Sequence, residues 1–251
     1  MKWNAELYDS KHDFVAEYGK GLFEYIPSFV ESILDLGCGT GTLTNQLTGY
    51  SKHIVGIDHS KDMIDKARLQ YPDLDFRVEN ALDLPFSNEF DLVFSNAVFH
   101  WIHDHDLLLD NIYKVLKDQG MLICEFGAIG NIGTIDQAFQ IACKEIGYCY
   151  STHFNFQSPE TFSILLEKHH FQIEKIYAFD RPTPLKDQKD GLINWMKQFY
   201  AADLNQLSDH DQIRVLQRVE ELTRDSLWNG KEWVADYKRL RVIARKRYNH
   251  L

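Results

Sequence analysis

Apolar residues in the first two-thirds of the chain alternate between short, nearly unbroken runs and stretches with helical spacing. Ile33-Leu34-Asp35-Leu36, His53-Ile54-Val55-Gly56-Ile57, Phe76-Arg77-Val78, Phe90-Asp91-Leu92-Val93-Phe94 and Met121 to Phe126 read as strands, the last of them fully buried. Between them Met63, Ile64 and Ala67 share a helical face behind a Ser60 cap, and Leu108, Ile112, Val115 and Leu116 share another from Asp106 to Leu116. Strands that alternate with helices make a parallel sheet. Ser158-Pro159-Glu160 opens a further helix with cap, proline and acid in their preferred places, and Phe171 to Phe179 is a sixth strand. After Arg181-Pro182-Thr183-Pro184 the period changes: Leu185 to Asp236 reads as helical, with Val215, Val219 and Leu222 at i, i+4, i+7. The expected architecture is α/β, a doubly wound, mostly parallel seven-stranded sheet with a helical lid. Its parts are a helical cover over 1–30, a core over 31–184, a lid over 185–236 and a last strand over 237–251.

The loop after the first strand carries the most specific chemistry. Gly37, Gly39 and Gly41 alternate with Cys38 and Thr40, so a ligand can approach bare backbone there, and the helix from Thr42 directs its positive end toward it. A phosphate-binding P-loop needs Lys-Ser/Thr after its last glycine, whereas Thr42-Leu43 follows Gly41, which excludes ATP by that route. The dinucleotide pattern G-x-G-x-x-G fails because its sixth position, counted from Gly37, is Thr42; NAD is the runner-up. Asp58 ends the second strand, about twenty residues beyond the loop, where a carboxylate can accept both hydrogen bonds of a ribose diol. Ser95 to Trp101 follow the fourth strand and should edge the site, because open α/β sheets bind ligands beyond the carboxyl ends of their strands.

The motif D-x-G-x-G-x-G from Asp35 to Gly41 resembles the first motif of class I S-adenosylmethionine (SAM) methyltransferases. The strings WNAELYDSKHDFV from Trp3, SNAVFHWI from Ser95 and EFGAIGNI from Glu125 are similar to a bacterial subgroup of small-molecule methyltransferases related to trans-aconitate methyltransferase. So are Asp180-Arg181-Pro182-Thr183 and Tyr237-Lys238-Arg239-Leu240-Arg241. The resemblance implies a Rossmann-like fold and SAM as cofactor. Gly37, Cys38, Gly39 and Gly41 would pass under its methionine half and Asp35 would help to hold its ammonium end. Asp58, with His59 beside it, would take the ribose, and Met63 would lie against adenine. Asn80-Ala81-Leu82 stands where many relatives carry Asp-Ala for the adenine amino group, and the Asn80 carbonyl can still accept that bond. Ser95 completes the cofactor set. Tyr8, His12, His100 and Trp101 are the substrate candidates.

His100 has two readings, a general base for an amine or phenol acceptor, or a residue engaged in packing or a backbone hydrogen bond. The trans-aconitate relationship implies a small-molecule acid methylated on a carboxylate oxygen by in-line displacement. Such an acceptor needs no base but does need a basic holder, for which Arg181 and Lys186 are candidates. An NAD-binding oxidoreductase and a SAM-binding regulator without catalysis are the alternatives.

Composition narrows the partners. A formal net charge of −10, from 27 Lys and Arg against 37 Asp and Glu, repels phosphate backbones and argues against nucleic acid. The basic run Lys238, Arg239, Arg241, Arg245, Lys246 and Arg247 reads as a strand with solvated charges on one face. Cys38, Cys124, Cys143 and Cys149 have no metal-ligand spacing, and no metal is expected at His100, His103, Asp104, His105 and Asp106, whose aspartates suit the start of a helix. A reducing cytoplasm is the expected location. No signal peptide is visible, and no apolar run reaches the roughly twenty residues of a membrane span. Nothing sets an oligomeric state.

Overall fold

The computed structural model describes residues 18–247; Tyr8 and His12 lie outside the described residues. Seven strands form one sheet: β1 (Ser32–Leu36), β2 (His53–Asp58), β3 (Asp75–Val78), β4 (Phe90–Asn96), β5 (Leu116–Gly127), β6 (Phe171–Pro184) and β7 (Val234–Lys246). Their order is β3-β2-β1-β4-β5-β7-β6. β1 pairs parallel with β2 on one side and β4 on the other, with Asp35 opposite both Gly56 and Phe94. The order therefore reverses between β1 and β4, and open α/β sheets bind their ligands beyond the carboxyl ends of the strands at such a point.

The alternation of side chains along the strands divides the core into two layers. Leu34, Leu36, Val93, Leu122, Cys124, Leu240, Val242 and Ala244 face one layer, which contains Leu108, Ile112 and Val115 of α3 (His105–Val115) and Phe162 and Leu166 of α5 (Pro159–Lys168). Ile33, Leu92, Phe94, Met121, Ile123 and Ile243 face the other, with Leu43 and Leu47 of α1 (Thr42–Leu47) and with Leu22 and Ile26, in and just after the 3-10 turn Lys20–Tyr25. Local chemistry starts the helices. Ser60 accepts from the Met63 N–H at 3.4 Å at the start of α2 (Lys61–Gln70), and Asp104 accepts from the Leu107 N–H at 2.9 Å at the start of α3. Ser158 and Thr161 form a reciprocal capping box on α5.

The basic run corrects one expectation. β7 lies between β5 and β6, so both its edges are paired within the sheet, and Arg239, Arg241 and Lys246 are buried rather than solvated. Lys246 Nζ donates to the carbonyls of Tyr113 (2.9 Å) and Leu116 (2.7 Å), satisfying acceptors at the end of α3. His169 likewise does more than end a helix: its ring nitrogens lie 2.6 Å from Asp110 Oδ1 and 2.7 Å from Asp106 Oδ1.

The chain divides into two compact units. Of the described residues, one holds those up to Ala128, Gln157–Ala178 and those from Leu240; the other holds Ile129–Phe156 and Phe179–Arg239. The second unit thus takes in α4 (Gly133–Glu145) as well as the stretch expected to form a lid. Its other helices are α6 (Gly191–Phe199), α7 (Ala201–Leu204) and α8 (Asp209–Leu227), and α4 packs along α8, joined by the Arg218–Glu145 ion pair. Inside it Asp136 accepts the hydroxyls of Tyr150 (2.6 Å) and Tyr200 (2.9 Å), and Trp195 Nε1 donates to Tyr237 Oη at 2.7 Å.

Among the described residues no helix is long and apolar enough to cross a membrane, and no cluster of His, Cys, Asp and Glu is arranged to hold a metal. All four cysteines are free.

Candidate functional site

The glycine loop folds back over the end of β2, where the N–H groups of Gly37 and Cys38 both donate to the Ile57 carbonyl, at 2.8 and 2.9 Å. All three glycines have positive φ: +77° at Gly37, +56° at Gly39 and +84° at Gly41. Their surroundings differ. A Cβ on Gly37 would lie 2.1 Å from Val98 Cγ2, and one on Gly41 would lie 2.6 Å from the Phe76 ring. A Cβ on Gly39 would meet nothing within 4 Å. Gly37 and Gly41 are therefore required by packing, whereas Gly39 borders open space. Cys38 turns its side chain inward among Ile64, Ala67 and Phe76, and burial, with Asp35 and Asp58 nearby, pushes its thiol well above its ordinary range.

Two carboxylates stand behind this loop. Asp35, 2% exposed, accepts the Thr44 hydroxyl at 2.6 Å from the first turn of α1. Burial raises its pKa to about 7; the Thr44 bond works the other way, and the charge of Asp58 adds to the rise. Asp58 is fastened at both oxygens: Oδ2 accepts the Gly39 N–H at 3.0 Å and Oδ1 the Ser60 N–H at 2.8 Å. Burial raises its pKa too, against the pull of those backbone bonds. Each oxygen of an ionised carboxylate has two acceptor positions, so the latch leaves Asp58 able to accept further bonds.

His59 is exposed, and Met63 is buried on the inner face of α2. Asn80 is exposed; its Oδ1 accepts the Leu82 N–H at 3.0 Å, and Ala81 and Leu82 lie half-buried against the core. Ser95 is 1% exposed and its hydroxyl donates to the Leu36 carbonyl at 2.7 Å, bracing the ends of β4 and β1.

The chain after β4 is strained. Ala97, which is not glycine, has φ +62°, held by an N–H bond to the Glu125 carbonyl at 2.7 Å. Val98 then fills the space beside Gly37, and the 3-10 turn Phe99–Trp101 presents His100 and Trp101, with ring centroids 5.2 Å apart. His100 is 6% exposed and its Nδ1 accepts the backbone N–H of Gly127 at 3.2 Å. An Nδ1 that accepts leaves the proton on Nε2, so the ring is set as a donor. The nearby His105 is structural: its Nε2 meets the Phe99 carbonyl at 2.9 Å, and burial lowers its pKa.

Asp35, Asp58, the three glycines, Met63 and Ser95 thus cluster around the carboxyl ends of β1, β2 and β4. In the second unit, Arg181 is half-buried over the Phe179 ring, 4.8 Å from its centroid, and Lys186 is exposed. The pattern of the sequence did not reveal Thr44, Val98 or Gly127. Val98 and Gly127 act through partners distant along the chain and Thr44 through Asp35 across the loop, and periodicity carries no signal for either.

Residues 34–124 match a family model described as a methyltransferase domain. An uncharacterized methyltransferase of Schizosaccharomyces pombe is 32% identical over 97% of this chain and 98% of its own length. The trans-aconitate 2-methyltransferase of an Enterobacter species is 25% identical over 97% of this chain and 98% of its own. The solved structure of phosphoethanolamine N-methyltransferase 2 from Haemonchus contortus, in complex with S-adenosyl-L-methionine, shares the fold. Its TM-score is 0.57 at 19% identity, over 92% of this chain and 52% of that one.

Proposed function

The chain belongs to the class I SAM-dependent methyltransferases, and from that premise we propose that it methylates a carboxylate oxygen of a small-molecule acid by direct in-line displacement. SAM is the cofactor, and the loop fits it: a side chain at Gly39 would extend into open space where backbone can instead meet a ligand. When bound, SAM supplies a methyl group already activated on a sulfonium.

The chain's own residues then have simple tasks. Asp35, once ionised, holds the ammonium end, and Asp58 takes the ribose with the acceptor positions its backbone latch leaves open. Met63 supplies an apolar surface for adenine, and Asn80 to Leu82 border its far edge. The Ser95 hydroxyl acts indirectly by holding the two central strand ends in register.

The acceptor class rests on one observation, the Gly127 N–H bond to His100 Nδ1. It supports His100 as a donor to an anionic acceptor and disfavours it as a base. A carboxylate is ionised near neutrality and needs no proton removed. Full-length similarity to a trans-aconitate methyltransferase favours the same class. The oxidoreductase and regulator readings have no observation in their favour.

The test is mass spectrometry of purified protein with SAM and separate panels of small di- and tricarboxylic acids, amines and phenols. Methyl ester formation from at least one acid is expected, with His100→Ala raising KM more than it lowers kcat. Turnover of amines or phenols alone, with kcat lowered about a hundredfold in His100→Ala at unchanged KM, would establish a base and overturn the proposal.

A further inference from the structure

One buried cation in the first unit has no task in the chemistry above. Arg241 on β7 is 6% exposed, and its Nε and Nη2 donate to Glu125 Oε2 at 2.9 and 2.6 Å. Glu125 is 1% exposed and lies near the carboxyl end of β5. On its other side Arg241 Nη1 donates to the Gly21 carbonyl at 3.1 Å, to Glu24 Oε1 at 3.4 Å and to the Tyr177 hydroxyl at 3.3 Å. One guanidinium thus joins three parts of the chain that are remote in sequence.

Both ends of this link lie at the carboxyl edge of the sheet. The Glu125 carbonyl holds the strained Ala97, and two residues on, the Gly127 N–H sets the tautomer of His100. At the other end, the segment from Gly19 to Tyr25 lies directly on the cofactor side. A Cβ on Gly19 would meet Leu43 Cδ1 of α1 at 2.6 Å and the Asn96 side-chain amide at the end of β4 at 3.0 Å. Leu22 anchors the segment in the core, and a Cβ on Gly21 would make a tight contact with Arg241 Nη2, at 3.1 Å.

We infer that Arg241 is a positioning residue for methyl transfer, latching the segment Gly19 to Tyr25 across the edge of the cofactor site while holding the β5 end that orients the His100 turn. The inference rests on the placement of SAM beyond β1 and β4 and not on the identity of the acceptor. Arginine suits the task because its planar fork serves Glu125 and the Gly21 carbonyl together, whereas a lysine has one compact ammonium for both. An ion pair with both partners buried is weak evidence for a gain in stability, so the expected effect is on cofactor release.

The experiment measures release of radiolabelled SAM, chased with S-adenosylhomocysteine, together with backbone amide exchange over residues 19–25. Arg241→Lys keeps a cation beside Glu125; it is expected to speed release about tenfold and raise exchange at Gly21 to Glu24, with the fold by circular dichroism intact. Gly19→Leu leaves Arg241 untouched and displaces the segment by its clash with Leu43 and Asn96, so it is expected to speed release in the same way. It also carries the test if Arg241→Lys does not fold. Wild-type release rates in either folded variant would overturn the latch while leaving the cofactor site standing. A wild-type protein whose SAM binding is indifferent to Gly39→Val would overturn the placement of the cofactor, and the latch with it.

Discussion

Asp35 combines the two requirements of a site residue, a buried carboxylate and a nearby charge of the same sign. With its pKa at about 7, a large part of the free protein carries it protonated at neutral pH, and an ammonium partner is expected to draw it into the ionised form. SAM affinity should therefore fall as pH drops below about 7, approaching a tenfold loss per unit. Asp35→Asn should bind more weakly at pH 8 and lose that pH dependence; isothermal titration between pH 5.5 and 8 checks both. Gly39 is the other position decided by a single residue. Gly39→Val should abolish SAM binding through its bulk at the ligand and its φ of +56°, while circular dichroism remains native-like. Retained affinity in that variant would mean that the loop does not approach the cofactor.

Between elements, the glycine loop and the turn after β4 are interlocked, because Val98 occupies the volume a side chain at Gly37 would need. Gly37→Ala should destabilise the protein through both this clash and its positive φ. Val98→Ala removes the clash alone, so the double variant should recover part of the loss, with a coupling of about 0.5–3 kcal/mol in urea unfolding. Strict additivity would show that the two loops do not constrain each other. The capped helices make the contrast: Ser60, Asp104 and the Ser158 box act within three residues of chain and were legible as local patterns. Val98 on Gly37 and Gly127 on His100 were not, because only strand order brings them together.

For the molecule as a whole, buried acids set the dependence of stability on pH. A carboxylate whose pKa is raised by folding binds more protons in the native state, so the Asp35 contribution is fully present below about pH 4 and is lost as pH rises through about 7. Asp58 shifts in the same direction. Without SAM, Asp35→Asn should therefore gain thermal stability relative to the parent as pH is raised from 5.5 to 8. A gap between the two melting temperatures that stays constant over that range would show that Asp35 ionises normally in the folded chain.

The residue pattern by itself determined the α/β class, the seven strands, the glycine loop and the two carboxylates around it. Periods of 2 and 3.6 and the chemistry of glycine act over a few residues and are written directly in the chain. The tertiary structure decided why each glycine is a glycine, and which nitrogen of His100 carries its proton. It also decided that Arg239, Arg241 and Lys246 are buried, and that α4 packs along α8. Charge, tautomer and steric need are properties of the surroundings, which strand order decides: β7, the last strand in sequence, lies between β5 and β6.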